Sequence, residues 1–148
     1  NRECIAPHSS RKMNNSYEWK PEYSVGNEML DTQHQQLLKI CKDVSDYRCD
    51  GSKNSILDFH SILNDLAFYA TRHFEAEEEL LRRVGYPALE SQLSEHAQYN
   101  ESLVDFLLDA INGKIDRDAL EGFLGLWWVK HILLSDMHYC DYVKKLDT

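Results

Sequence analysis

The chain has 148 residues, with 16 Lys+Arg against 25 Asp+Glu for a formal net charge of -9, and it is 43% hydrophobic and 28% charged. That length suits one ordinary domain, and no apolar run approaches the roughly 18 residues that span a bilayer, so membrane partners are not expected. The acidic balance also lacks the concentrated basic face that a phosphate backbone needs, so nucleic acid is not expected either. Cys4, Cys41, Cys49 and Cys140 show neither CxxC spacing nor a dense framework. They read as reduced thiols in a cytoplasmic protein, with a Cys41/Cys49 bridge as an alternative that the sequence does nothing to support.

Residues 1–16 lack an apolar signal-peptide core and are set aside as a tail, expected to be disordered, which leaves 17–148 as the domain. The stretch from Trp19 to Gly26 is aromatic but aperiodic, which predicts an extended arm that buries Trp19 and Tyr23 on the rest of the protein. Leu30, His34, Leu37, Leu38, Cys41, Val44 and Tyr47 then line one face of a first helix, with Asp31 as its expected cap and Asp50-Gly51-Ser52 as its end. A second helix opens at Ser55, where Ser55-x-x-Asp58 resembles a capping box. It carries Ile62, Leu66, Tyr69, His73, Glu77 and Leu80 inward, and Gly85 stops it. The third runs from about Glu90 to Asn112, with Leu93, His96, Asn100, Leu103, Leu107 and Ile111 on its expected inner stripe. The fourth starts near Asp116 or Asp118 and carries Leu120, Phe123, Leu124, Trp127 and His131. Short connections between long amphipathic helices predict an all-α fold, an antiparallel up-down-up-down four-helix bundle with an extended N-terminal arm.

Every inner stripe contains a histidine where periodicity calls for Leu or Ile. His73 and Glu77, four residues apart, share a face one turn apart. His34, His96 and His131 sit on the other three helices, and Asp136 follows His131. A buried carboxylate or imidazole is costly without a partner, and one metal centre relieves all of them. Imidazole nitrogen with carboxylate oxygen suits iron, zinc or manganese, and the absence of clustered thiolates argues against a cysteine zinc knuckle or an iron–sulfur cluster. Six candidate ligands exceed a tetrahedral shell, and two carboxylates can each bridge a pair, so two metals are expected. His60 is read as a surface group, and His138 as a surface group or a support to a ligand rather than a ligand itself. Glu78 is a candidate to orient a neighbour, and Tyr139 a candidate hydrogen-bond donor to Asp136.

Read together, these residues resemble the bacterial hemerythrin family over Trp19 to Leu146. Trp19-x3-Tyr23-Ser24-Val25-Gly26 with Asp31-x-Gln33-His34 looks like its arm and first histidine. His73-Phe74-x2-Glu77-Glu78, the Tyr86-Pro87 turn and His131-Ile132-x3-Asp136-x2-Tyr139 resemble its later motifs. The resemblance implies two non-haem iron ions with an oxo or hydroxo bridge, spanned by Glu77 and Asp136. His34 and His73 would then serve one iron and His96 and His131 the other.

It further implies binding of O2 or another small diatomic or anionic ligand. The expected role is an oxygen or redox sensor module of a larger signalling protein, for example one with a diguanylate cyclase as its C-terminal output domain. On that reading the chain is not itself an enzyme, and any catalysis lies in the output domain. The alternatives are an enzyme-like site acting on peroxide or nitric oxide, and simple O2 storage or carriage. Two details depart from a simple pattern. The five-residue step from His131 to Asp136 turns about 140° on a straight helix, so the helix must bend or end there. Where the family offers His-x3-His on the third helix, this chain reads His96-x3-Asn100, which predicts weak coordination or an open, water-filled position at Asn100.

Overall fold

The computed structural model describes residues 3–4 and 17–144. Its helices are α1 (Glu28–Asp46), α2 (Lys53–Val84), α3 (Leu89–Ile111) and a fourth rod in three parts: α4 (Arg117–Lys130), a π-helical turn (His131–Asp136) and α5 (Met137–Lys144). Right-handed helical dihedrals continue through His131 and Met137, so these parts form one rod. The rods pack as the expected antiparallel bundle, α1 against α2 and α4, and α2 against α3 and α5. Two short segments, β1 (Glu3–Cys4) and β2 (Lys114–Ile115), pair in parallel. The rest of the 1–16 tail, and Lys145 onward, lie outside the described residues.

Local chemistry explains where the helices start. Asn27, not Asp31, caps α1, its side chain accepting from Leu30 N at 3.0 Å. Asp31 instead tethers the arm, accepting from Ser24 Oγ at 2.5 Å and from Val25 N at 2.9 Å. A carboxylate one turn inside the helix start is free to reach back to chain entering from outside it, which the cap cannot do. Ser52, not Ser55, caps α2. At the other end Gly85 adopts φ +68, and Tyr86 N closes onto Leu81 O, as a left-handed glycine cap requires. Asp116 caps α4 through Ala119 N.

The arm is less extended than expected, because Pro21–Tyr23 forms a 3-10 turn. Trp19 and Tyr23 are partly buried against the main core, and Val25 is fully buried. At Gly26, φ is +81, a conformation strained for any residue with a side chain, and an added Cβ would lie 2.9 Å from Lys144 Cγ, where the arm crosses the end of α5.

The apolar interior falls into two clusters. The larger contains Leu37, Leu66, Phe74, Tyr99, Trp128 and Ile132, and the smaller contains Val25, Leu30, Leu80, Leu81, Tyr139 and Val143. Along each of three rods the change from one cluster to the other occurs at the polar positions: His34 lies between Leu30 and Leu37, Glu77 between Phe74 and Leu80, and Asp136 between Ile132 and Tyr139. A polar layer thus crosses the bundle between two dry blocks.

The cysteines differ from expectation. Cys41 and Cys140 are free and buried, so no Cys41/Cys49 bridge forms, but Cys49 is disulfide-bonded. A reduced-thiol reading therefore does not hold for Cys49.

Candidate metal centre

The polar layer gathers His34, His73, Glu77, His96, His131 and Asp136, each at most 2% exposed. Each histidine aims Nε2 inward. His34 and His73 face each other, Nε2 to Nε2, at 2.9 Å. Glu77 Oε2 lies 3.2 Å from His73 Nε2 and 3.7 Å from His34 Nε2, while its other oxygen, Oε1, lies 2.9 Å from His96 Nε2 and 3.1 Å from His131 Nε2. Asp136 divides in the same way, with Oδ2 3.0 Å from His34 Nε2 and Oδ1 3.1 Å from His131 Nε2. Each carboxylate thus offers one oxygen to each histidine pair. Among the described residues, two groups of side chains could hold a metal ion: His34, His73, Glu77 and Asp136, and Glu77, His96 and His131.

The π-helical turn makes this possible. Hydrogen bonding from residue i to i+5 widens the coil, so residues five apart come onto one face. His131 and Asp136 begin and end that turn, and both are buried. The expected bend is therefore a local widening, with the helix continuing beyond it.

The outward nitrogens are held by a second ring of groups. Nδ1 of His96 lies 2.6 Å from Glu78 Oε2, that of His131 2.9 Å from Glu95 Oε2, and that of His73 2.9 Å from Gln33 Oε1. Ser135 Oγ donates to Glu95 at 2.7 Å. All three partners are acceptors, so each ring carries its proton on Nδ1 and turns Nε2 to the centre, the tautomer a metal ligand needs. Aromatic rings wall the layer on one side: Phe74 stacks on His96 at 3.9 Å and Trp127 on His131 at 4.5 Å. Tyr139 donates to Glu77 Oε2, from α2, at 2.8 Å rather than to Asp136.

Electrostatics show how tightly these groups depend on one another. Burial alone would lower the His34 pKa, but Asp136 and Glu77 outweigh it and raise it to about 9. Burial likewise opposes charge on His131, which Asp136 and Glu77 bring up to about 10. His73 is lowered, chiefly by burial. Burial works against ionisation of Glu77, yet His73 and His131 hold its pKa well below the usual carboxylate range. Asp136 Oδ2, although close to His34 Nε2, makes no aligned hydrogen bond, and His34 Nδ1 has no partner among the described residues. Inward donor atoms about 3 Å apart match the edges of a coordination shell whose bonds are about 2.0–2.2 Å. The donor set therefore fits divalent or trivalent metal with nitrogen and oxygen preference.

Residues 25–143 match the family model described as the hemerythrin HHE cation binding domain. The chain belongs to the hemerythrin family. Hemerythrins bind non-haem iron, and the buried His, Glu and Asp groups of this chain could hold it. Among relatives of this hemerythrin domain, a hemerythrin-like protein of Naegleria gruberi is 30% identical over 123 residues, covering 83% of this chain and 90% of its own length. A bacteriohemerythrin of Stenotrophomonas maltophilia is 23% identical over 126 residues, covering 85% and 80%. A crystal structure described as that of a leucine-to-phenylalanine mutant superposes with TM-score 0.75 at 22% identity, covering 86% of this chain and 96% of the other, which supports the fold.

The third helix of this hemerythrin corrects one expectation. Asn100 is exposed and takes no part in the layer. The inner stripe of α3 is Gln92, His96, Tyr99, Leu103 and Ala110, one residue off from the stripe drawn through Leu93, Asn100, Leu107 and Ile111, and Ile111 is 72% exposed. Helical spacing leaves a rotation of this size undetermined, and the packing of Tyr99 against Phe74, Trp127 and Trp128 settles it. The polar residue one turn from His96 on the site face is Gln92, 2% exposed, whose Nε2 donates to Asp136 Oδ1 at 3.1 Å. The sequence signal was present: Gln92 stands four residues before His96, as His73 does before Glu77. The supporting roles of Gln33, Glu95 and Ser135 carry no such signal, because each depends on what another helix brings alongside.

Proposed function

We propose that this hemerythrin domain holds two non-haem iron ions joined by an oxo or hydroxo bridge, with His34 and His73 at one, His96 and His131 at the other, and Glu77 and Asp136 spanning both. The carrying observation is the division of each carboxylate, one oxygen toward each histidine pair. Such a pair of reduced ions supplies two electrons to a bound oxidant such as O2. The protein's own part is to orient and to exclude water. Glu78, Glu95 and Gln33 fix the imidazoles, Tyr139 holds a proton against Glu77 Oε2, and the two apolar clusters keep the layer dry. The ligand is O2 or another small diatomic or anion, and residues 17–148 are taken as the domain that binds it.

The role we favour is an oxygen or redox sensor in a larger signalling protein, for example one with a diguanylate cyclase output. It is supported by the placement of both His131 and Asp136 on a widened turn of the rod that continues through α5, so a change of ligand state acts directly on that rod. A free-standing O2-binding protein is the second reading, favoured by relatives of which 80–98% is spanned by the match and which therefore consist of little else. No helix among the described residues is long and apolar enough to cross a membrane. The cytoplasmic setting rested on reduced thiols, and the disulfide at Cys49 weighs against it.

Iron-supplemented aerobic expression tests the core of the proposal. Two irons per chain with the near-ultraviolet bands of an oxo-bridged pair are expected. A colourless, iron-free protein overturns it. Steady-state turnover of peroxide or nitric oxide would instead place the site among enzymes.

A further inference from the structure

We propose that Gln92 is a seventh, weak ligand of the centre: its amide oxygen occupies one coordination place at the His96/His131 position and yields that place to small anions. This rests on the two-iron reading above. Gln92 is 2% exposed in a layer whose other buried polar side chains converge on one centre. Its Nε2 lies 3.1 Å from Asp136 Oδ1, the oxygen that also faces His131 Nε2 at 3.1 Å. Those distances equal the spacing that other donors keep around the same position, 2.9 Å for His96 and 3.1 Å for His131 to Glu77 Oε1. The amide end of Gln92 therefore stands where a further ligand of that position belongs.

Its other amide atom, Oε1, is buried with no partner among the described residues. Nothing else in the layer fixes which way the amide points, so the choice follows from what sits beside Asp136. A bare carboxylate selects the NH2 group, as seen. A cation held by that carboxylate repels the NH2 group and attracts the carbonyl, and a half-turn about the last side-chain bond exchanges the two atoms without changing the volume filled. An amide oxygen is a neutral, weak donor to iron compared with imidazole. Among the described residues the His34/His73 position shows no equivalent buried amide, and Gln33 is engaged with the outward nitrogen of His73. The two positions thus differ: one is completed by solvent or exogenous ligand, and the other by a replaceable protein amide.

The test compares wild type with Gln92→His and Gln92→Leu, each loaded with iron and checked for metal content and helicity. In the oxidised proteins azide is titrated through its charge-transfer band, and in the reduced proteins iron loss to a ferrous chelator is timed. We expect two azides per chain in wild type and in Gln92→Leu, and one in Gln92→His. Release of one of the two irons should be about 10-fold faster in Gln92→Leu and about 10-fold slower in Gln92→His, the scale on which neighbouring groups alter metal affinity. If all three proteins hold two irons and agree in azide stoichiometry and release rate, Gln92 serves only as a hydrogen-bond donor to Asp136 and the proposal falls while the two-iron reading stands. Failure of wild type to take up iron overturns both.

Discussion

Replacing Glu77 with glutamine keeps the size of the side chain and removes its charge, at the point where the layer is most densely connected. Glu77 Oε2 faces His34, His73 and the Tyr139 hydroxyl, and Oε1 faces His96 and His131. Glutamine presents an oxygen to one of these sides and an NH2 group to the other, so it can serve one metal position and repels a cation at the second. Iron content is expected to fall from two per chain to one or fewer. In the metal-free protein the same change leaves His34 with Asp136 alone as counter-charge, and His131 with Asp136 and Glu95, in a buried setting. Removing one member of a buried charged network costs about 3–5 kcal/mol. For a domain of this size that corresponds to a fall of about 10 °C in the unfolding midpoint. Metal analysis and thermal unfolding of metal-free Glu77→Gln against wild type measure both effects. Two retained irons together with an unchanged midpoint would refute the reasoning, because Glu77 would then be neither a bridge nor the anchor of the buried charges.

Three other outcomes are expected. Asn100→His, at an exposed position, should leave iron content and azide affinity as in wild type and alter stability by less than about 0.5 kcal/mol in urea unfolding; a gain in metal affinity would contradict the observed rotation of α3. Tyr139→Phe removes the donor to Glu77 Oε2 inside a closed layer and should cost about 1–2 kcal/mol in the metal-free protein, measured the same way, with no loss expected if that bond is absent in solution. Without metal, His34 and His131 are raised from 6.5 to about 9 and about 10, so their charged forms stabilise the fold fully below pH 6.5 and this contribution is lost as pH rises through 9 to 10. Urea midpoints should therefore fall above pH 9 for the metal-free protein, while metal uptake at pH 7 should release a proton from each of these histidines, measured with an indicator dye in weak buffer. Uptake without proton release would show that they are already neutral.

Much of this protein was legible in one dimension because helices repeat simply. Apolar residues three and four apart, punctuated by Gly51, Gly85 and Gly113, determine four rods and their order, and polar residues on the apolar stripes single out His34, His73, Glu77, His96, His131 and Asp136 for burial. Even the need for distortion between His131 and Asp136 follows from counting degrees. Rotation of a helix about its own axis does not. Both faces of α3 carry apolar residues, so only the packing of Tyr99 against Phe74 and Trp128 decided that Gln92, and not Asn100, turns inward. Partners supplied by another helix are equally invisible to spacing: Tyr139 reaches Glu77, Glu95 reaches His131, and each carboxylate divides its oxygens between two histidine pairs. Periodicity determined which residues leave water together. The tertiary packing decided which atoms meet, because contact depends on the relative rotation and depth of whole rods, quantities that no single rod encodes.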